Sequence, residues 1–408
     1  MRPWWLSALL AAMAIAEPAI AQPSPAPASV GIASPAAANV ETASPGASST
    51  GERQGRARFF DPDDGQLDLS YFLEHPLAFL PIPIVVTEPA VGYGGGAAGM
   101  FIRPRREAGE EGWARPDISA VGALVTQNGT SAAFGGDVTR WLDGRLRTLA
   151  GAGTGRVNLD FYGLGSDRAS FNERVRYALQ FDGAVVQANW QLAPKSPWSL
   201  GMRYVFADVD PKLRDQPAFP GLADRVRVTV SAPTAIVEYD SRDNIFTPTR
   251  GVYAETSYLA SREAFGANVD FERFEQIVIG WQPLSSDVTL GARGGYASSS
   301  EATPFFLRPF IVLRGVPAVR YQGDRMASLE IEARWQFYGR WSAVAFGGAG
   351  TTRTHRDGFS VTQSVGSGGV GFRYELASKF GMHVGLDVAR SPGTTAVYLQ
   401  VGNAWFRP

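Results

Sequence analysis

The chain has 408 residues, a formal net charge of −1, 46 glycines, 12% aromatic and 19% charged residues, and no cysteine. That balance supplies no basic field for nucleic acid, and the lack of thiols excludes disulfides, thiolate metal sites, a cysteine nucleophile and a lipid-modified cysteine. Charged residues fall below the ~25% of an average soluble domain. Past the N-terminus no apolar run reaches the ~18 residues of a membrane helix, so a membrane protein of this composition is expected to be a barrel.

Arg2, the apolar stretch Trp4–Ala16 and the small-residue site Ala19-Ile20-Ala21 form a secretory signal, with cleavage expected after Ala21. The apolar stretch is too short for a membrane anchor. Residues 22–57 are rich in Pro, Ala, Ser and Gly and cannot bury enough apolar surface to offset chain entropy, which predicts a disordered linker. Residues 58–408 are assigned to one β-barrel.

From Phe79 onward, short alternating segments are separated by turn signals. Counted from the C-terminus they begin with Thr395–Phe406, Met382–Arg390, Gln363–Leu376, Trp341–Thr351 and Ala327–Tyr338, and the fifteenth is Val91–Arg103. A barrel with both ends on one side needs an even number. The sixteenth candidate is Leu80–Thr87, whose Pro81 and Pro83 lack the N–H a ladder needs. Two readings stay open: an irregular plug, or a first strand that meets the last across a seam short of hydrogen bonds. With the C-terminus in the periplasm, Asp240–Arg250, Pro283–Ser286, Gly339–Arg340 and Ala377–Lys379 fall on that side. The longest connection, Ser298–Met326, faces outside, as outer-membrane barrels require. A soluble sandwich or propeller competes, but needs neither the even count nor apolar faces turned outward.

Leu329, Ile331, Ala333, Trp335 and Phe337 alternate with Glu330, Glu332, Arg334 and Gln336. Val370, Phe372 and Tyr374 likewise oppose Gly369, Gly371, Arg373 and Glu375, and Leu386 and Val388 oppose Asp387. If one face meets lipid, the lumen collects Glu330, Glu332, Arg334, Arg373, Glu375 and Asp387. Arg314 lies in the long loop. Drawn inward, its guanidinium would need carboxylates, because an unpaired buried charge costs several kcal/mol. Asp387 and Glu375 are the first choices, with Glu330 and Glu332 as further partners. An arginine exposed on the loop is the alternative on this ground.

Leu313-Arg314-Gly315, followed by Gly323-Asp324 and the strand carrying Glu330 and Arg334, resembles the loop motif of the bacterial surface antigen family, the BamA/TamA-like outer-membrane barrels. Asp240 to Gly251, with Arg242, Asp243 and Pro248, resembles the family's turn motif. Asn158 to Gly165, and Gly369-Val-Gly-Phe-Arg373 with Leu386-Asp387, are similar to two further stretches. The resemblance implies a sixteen-stranded barrel with its sixth outer loop folded into the lumen, and an Arg314–Asp387 contact beside Gly315. It also implies a weakly closed seam used to insert or export proteins. Gln400, Gly402 and Trp405 fit the C-terminal signal read by the assembly machinery. Three departures stand out: Val316 replaces the usual aromatic after Arg-Gly, no POTRA-like pattern occupies Gln22–Phe79, and Arg407 and Pro408 follow the final strand signal where an aromatic normally ends it.

Other chemistry finds no footing. Gly94 to Gly99 spells a dinucleotide fingerprint but lies within a strand pattern with no helix after it. His75, His355 and His383 lack ligand spacing, and no G-x-S-x-G elbow occurs. Asn128-Gly129-Thr130 reads as a hairpin turn. No enzyme activity, cofactor or metal is expected. Outer-membrane lipid is the expected surrounding, with client outer-membrane proteins or a separate periplasmic protein as candidate partners. A passive or structural pore is the alternative function, and a membrane-embedded hydrolase a more distant one.

Overall fold

Period-2 alternation with glycine-rich inner faces builds a single antiparallel sheet. The computed structural model describes residues 58–74, 80–103, 117–162, 174–214, 227–356, 359–405 and 407, so the signal and linker assignments lie outside the described residues. The strands are β1 (Leu80–Val86), β2 (Gly94–Arg103), β3 (Asp117–Thr126), β4 (Ser131–Trp141), β5 (Leu146–Phe161), β6 (Val175–Gln191), β7 (Trp198–Leu213) and β8 (Val228–Asp240). They continue as β9 (Gly251–Ser261), β10 (Phe271–Pro283), β11 (Val288–Ser299), β12 (Arg325–Tyr338), β13 (Trp341–Arg356), β14 (Phe359–Ala377), β15 (Met382–Ser391) and β16 (Thr394–Val401). Each strand pairs with its sequence neighbours in one 16-stranded sheet, which forms a nearly closed barrel. A short helix, α1 (Ser70–Glu74), precedes β1. We call the end where the chain joins β1 and leaves β16 the base, and the opposite end the crown.

Leu80–Val86 is a strand. Its ladder with β2 runs unbroken from Leu80↔Met100 to Val86↔Gly94. Hydrogen-bonded pairs in an antiparallel ladder need an N–H on each residue and alternate with pairs that do not. Pro81 and Pro83 have none, so Leu80, Ile82, Ile84 and Val86 turn their amides to β2, and positions 81, 83 and 85 face the free edge. That edge offers β16 one donor from three residues. Among the described residues no ladder joins β1 to β16. The close approach of β2 to β3 needs small residues: a Cβ on Gly96 would sit 2.1 Å from the Ala123 carbonyl oxygen.

Trp198, Leu200, Met202, Tyr204 and Phe206 of β7 all point outward and are exposed. Eight residue steps at ~3.4 Å make an apolar stretch ~27 Å long, and its nine residues match the ~9–11 that a tilted strand uses to cross a bilayer. Above it the outward positions become Asp208, Asp210 and Lys212.

The interior is not lined by charge alone, although the alternation of the late strands pointed only to its ionic side chains. Between β3 and β8 it carries a large apolar cluster, in which Leu124, Val138, Leu149, Leu179, Phe181, Val185, Val205 and Val209 are buried, while nearer the base Arg147 pairs with Glu238 at 3.0 Å and Asn189 is buried. Phe305, Phe306, Leu307 and Phe310 of the long crown loop fill this half. The charged half lies around β12 to β15. The final strand is also shorter than expected. It ends at Val401 rather than continuing to Phe406, because Gly402 takes a φ of +74° and redirects the chain inward.

Candidate functional site: a locked lumen beside an open seam

Arg314 is drawn into the barrel and is 1% exposed. The loop reaches that depth on apolar anchors: Ile311, Leu313 and Val316 pack with Met326 and Val365. A Cβ at Gly348 or Gly350 would collide with Leu313 and Ile311, at 2.8 and 2.6 Å. The Arg314 backbone N–H donates to Glu330 Oε2 at 3.0 Å and its Nε to Glu330 Oε1 at 3.0 Å. NH1 donates to Asp387 Oδ2 at 2.9 Å and lies 2.6 Å from Glu332 Oε2, an ion pair without hydrogen-bond alignment. Asp387 also receives both amino groups of Arg373, at 2.6 and 3.0 Å, and the amide of Gln400 at 3.1 Å. Charge-assisted bonds of this kind are the strong ones, and here they meet little competing water.

The backbone around Arg314 is equally determined. Gly315 has φ +87°, and a Cβ there would press on Ala389 and Arg390 at 3.1 Å. Its N–H donates to Tyr398 Oη at 3.0 Å, and its carbonyl accepts from Ser391 Oγ at 2.7 Å. Gly371 stands opposite Asp387 in the ladder, and a Cβ would come 2.0 Å from Asp387 Oδ1. The stacking ring that Val316 fails to supply comes from elsewhere: the Arg314 guanidinium carbon lies 3.5 Å from the Phe346 ring centroid. Sequence reading missed Phe346, Tyr398 and Ser391, whose strand positions carry no signal until the loop is folded in.

Glu375 is not part of this group. It pairs with His383 in the β14–β15 ladder near the base, and its N–H donates to the Arg340 carbonyl. The turn motif makes a floor. Asp240 accepts from Arg242 Nε and NH2 at 2.8 and 2.7 Å. Asp243 accepts from the Thr249 N–H at 3.0 Å, and Pro248 accepts from Arg334 at 3.3 Å. Gly251 has φ +102°, where a Cβ would sit 2.3 Å from the Ser241 carbonyl oxygen. The C-terminal residues meet this turn. Arg242 NH1 donates to the Arg407 carbonyl at 2.6 Å, and Asn403 Nδ2 to the Phe246 carbonyl at 2.8 Å.

Gln400 belongs to β16, whereas Gly402 and Trp405 lie beyond it. Trp405 packs inside the barrel with Tyr253, Ile277, Ile279 and Trp281, and its Nε1 donates to Glu330 Oε1 at 2.6 Å. The outer loop and the C-terminal residues therefore meet at one carboxylate. At the crown, Asn128-Gly129-Thr130 is a hairpin turn with Gly129 at φ +84°, tied by Asn128 Nδ2 to the Asn158 carbonyl at 2.8 Å.

A sixteen-stranded, nearly closed antiparallel barrel defines a class of fold, and solved structures share that fold. BamA from Haemophilus ducreyi lacking POTRA domains 1–3 matches with TM-score 0.55 and 11% identity, covering 79% of this chain and 70% of that one. CdiB from Escherichia coli matches with TM-score 0.57 at 10% identity and CdiB from Acinetobacter baumannii with 0.53 at 9%, each over 79% of this chain. The present chain spans 62% and 59% of those two CdiB chains. No family model matches the sequence, and no curated protein matches it. At such identities the likeness is one of fold: an outer-membrane-type barrel like those of BamA and CdiB.

Proposed function

We propose that the protein works in the outer membrane as an assembly or translocation barrel, inserting or exporting proteins or lipids through its β1–β16 seam. The carrying observation is the contrast between seam and lumen. The lumen is filled by the long loop from the crown and by Trp405 from the base, and is tied at Glu330. The seam has an edge stripped of donors by Pro81 and Pro83. Those prolines blunt the β1 edge and leave β16 without a ladder partner on that side among the described residues. A free strand edge recruits another strand, so a client β-segment paired with β16 would supply the donors that β1 does not. The barrel's likeness to BamA and CdiB is in keeping with this reading. In this proposal, outer-membrane lipid and unfolded outer-membrane proteins are the partners, and no covalent chemistry is required.

Depleting the protein and measuring the abundance of other outer-membrane proteins and surface lipid tests the reading. A fall in either is expected. Unchanged levels, together with steady conductance across a planar bilayer, would favour the passive pore instead.

A further inference from the structure

We propose that residues 58–74 form a strap at the membrane interface, clamped to the base of the barrel by Arg340 and seated in the surrounding lipid leaflet through Phe59, Phe60 and Leu67. The strap is a small folded unit. Phe60 and Leu67 bridge in antiparallel fashion, the Asp61 N–H donates to the Gln66 carbonyl at 2.9 Å, and the Phe59 and Phe72 rings pack at a 49° tilt with centroids 4.8 Å apart.

One side of this unit is spent on the barrel. Arg340, in the tight β12–β13 turn, would ordinarily project into water, yet it is 5% exposed. Its NH2, Nε and NH1 donate to Asp61, Asp64 and Asp68, each at 2.6 Å. Asp68 also accepts from Ser378 Oγ at 2.6 Å, and the Leu69 N–H donates to the Leu376 carbonyl at 2.8 Å. These contacts span the β12–β13 and β14–β15 turns, on the β16 side of the seam. From Glu74 only six residue steps lead to Leu80, so the strap fixes where the chain can meet β1, across at most ~20 Å of extended chain.

The other side is apolar and uncovered. Phe59, Phe60 and Leu67 are 44%, 40% and 42% exposed. The occupant is lipid, because the strap meets the barrel on its outward side. Tyr374, on the lipid-facing side of β14 with Phe372, donates its hydroxyl to the Leu67 carbonyl at 2.8 Å. Its ring lies 4.9 Å from that of Trp341, and Trp341, Phe337 and Tyr338 are all exposed around the same turn. Aromatic side chains ringing the end of a barrel mark the headgroup level of the bilayer. The strap's three apolar side chains extend that ring, while the exposed Asp63 and Asp64 remain on its polar edge.

The absence of cysteine makes the test direct. Single nitroxide labels are placed at Phe60→Cys, Leu67→Cys and Asp63→Cys in the full chain. The protein is reconstituted in phosphatidylethanolamine/phosphatidylglycerol vesicles, and collision with oxygen and with a water-soluble nickel chelate is measured. Labels at 60 and 67 should collide several-fold more with oxygen than with nickel, and the label at 63 the reverse. Arg340→Gln should move 60 and 67 toward nickel access, and Asp61→Asn with Asp64→Asn should do the same while leaving Arg340 in place. Dominant nickel access at 60 and 67 in the parent chain would overturn the proposal. So would shielding from both reagents, which would mean a protein partner, or strap labels unmoved by both clamp variants.

Discussion

Replacing Arg314 with alanine deletes the Nε bond to Glu330, the NH1 bond to Asp387, the ion pair with Glu332 and the stack on Phe346. Glu330 and Asp387, each with a fully buried side chain, keep neutral donors and Arg373: Glu330 retains the residue-314 backbone N–H and Trp405 among its partners, and Asp387 retains Arg373 and Gln400. Removing one partner of a buried ion pair costs about 3–5 kcal/mol, chiefly because the other charge stays buried. At about 1.4 kcal/mol per decade, that shifts the balance between inserted and released loop by two to almost four decades. The strands are untouched, and Phe305, Phe306 and Leu307 still hold the outer part of the loop, so the barrel itself should survive. The assay is proteolysis of Ser298–Met326 in the folded, membrane-inserted protein, in the regime where cleavage follows the open population. Arg314→Ala should be cut at least ~100-fold faster than the parent, in line with that shift. Adding Glu330→Gln should restore part of the protection, because it removes one of the stranded charges. Cleavage within a few-fold of the parent, or a double variant worse than Arg314→Ala alone, would refute the reasoning.

Gly371→Ala should destabilise the barrel severely, since its Cβ would fall 2.0 Å from Asp387 Oδ1 and 2.6 Å from the Leu386 carbonyl oxygen. Gly347→Ala, with nothing nearer than 3.8 Å, should leave the heat-modified gel shift unchanged. Converting Pro81 and Pro83 to threonine returns two donors to the free edge, and should slow amide exchange in Thr394–Val401 as β16 gains partners. Unaltered exchange would place the prolines' missing donors away from the seam. Acid should release the strap. Burial raises the Asp68 carboxyl, but hydrogen bonds from Ser378, Ser70 and Arg340 outweigh it and hold the group below its ordinary value of 3.8. A depressed carboxyl stabilises above that value and loses its contribution as pH falls through the folded one. Strap-label mobility should therefore stay constant from pH 8 to about 5 and rise only below about 4.

The barrel was legible because a strand with one lipid face repeats every second residue, so even the ion-bearing β12 declared its two sides. The Arg314 partners Glu330, Glu332 and Asp387 were accessible for the same reason. Glu375 shares their face yet lies too near the base, a distance that alternation alone does not encode. The apolar half of the lumen was hidden because Val185 and Val186 look alike in sequence, though one is buried and the other exposed. Only the loop's Phe305 and Phe306, folded in from far along the chain, reveal which side is interior. Trp405 read as the end of a strand because a positive φ at Gly402 leaves no mark on hydrophobic period. The Arg340 clamp was missed for a simpler reason: three aspartates in a polar segment look like a solvated stretch until a guanidinium stands among them.

If work is done at the seam and not through the lumen, closing the seam must stop it. The direct measurement uses the cysteine-free chain: a cysteine at Val85, paired in turn with one at Ala396, Val397, Tyr398 or Leu399, to find a pair that forms a disulfide across β1 and β16. With that clamp formed in cells lacking the parent protein, assembly of other outer-membrane proteins or export of surface lipid should stop, and should resume on reduction. Undiminished assembly and export with the seam fully cross-linked would contradict the account.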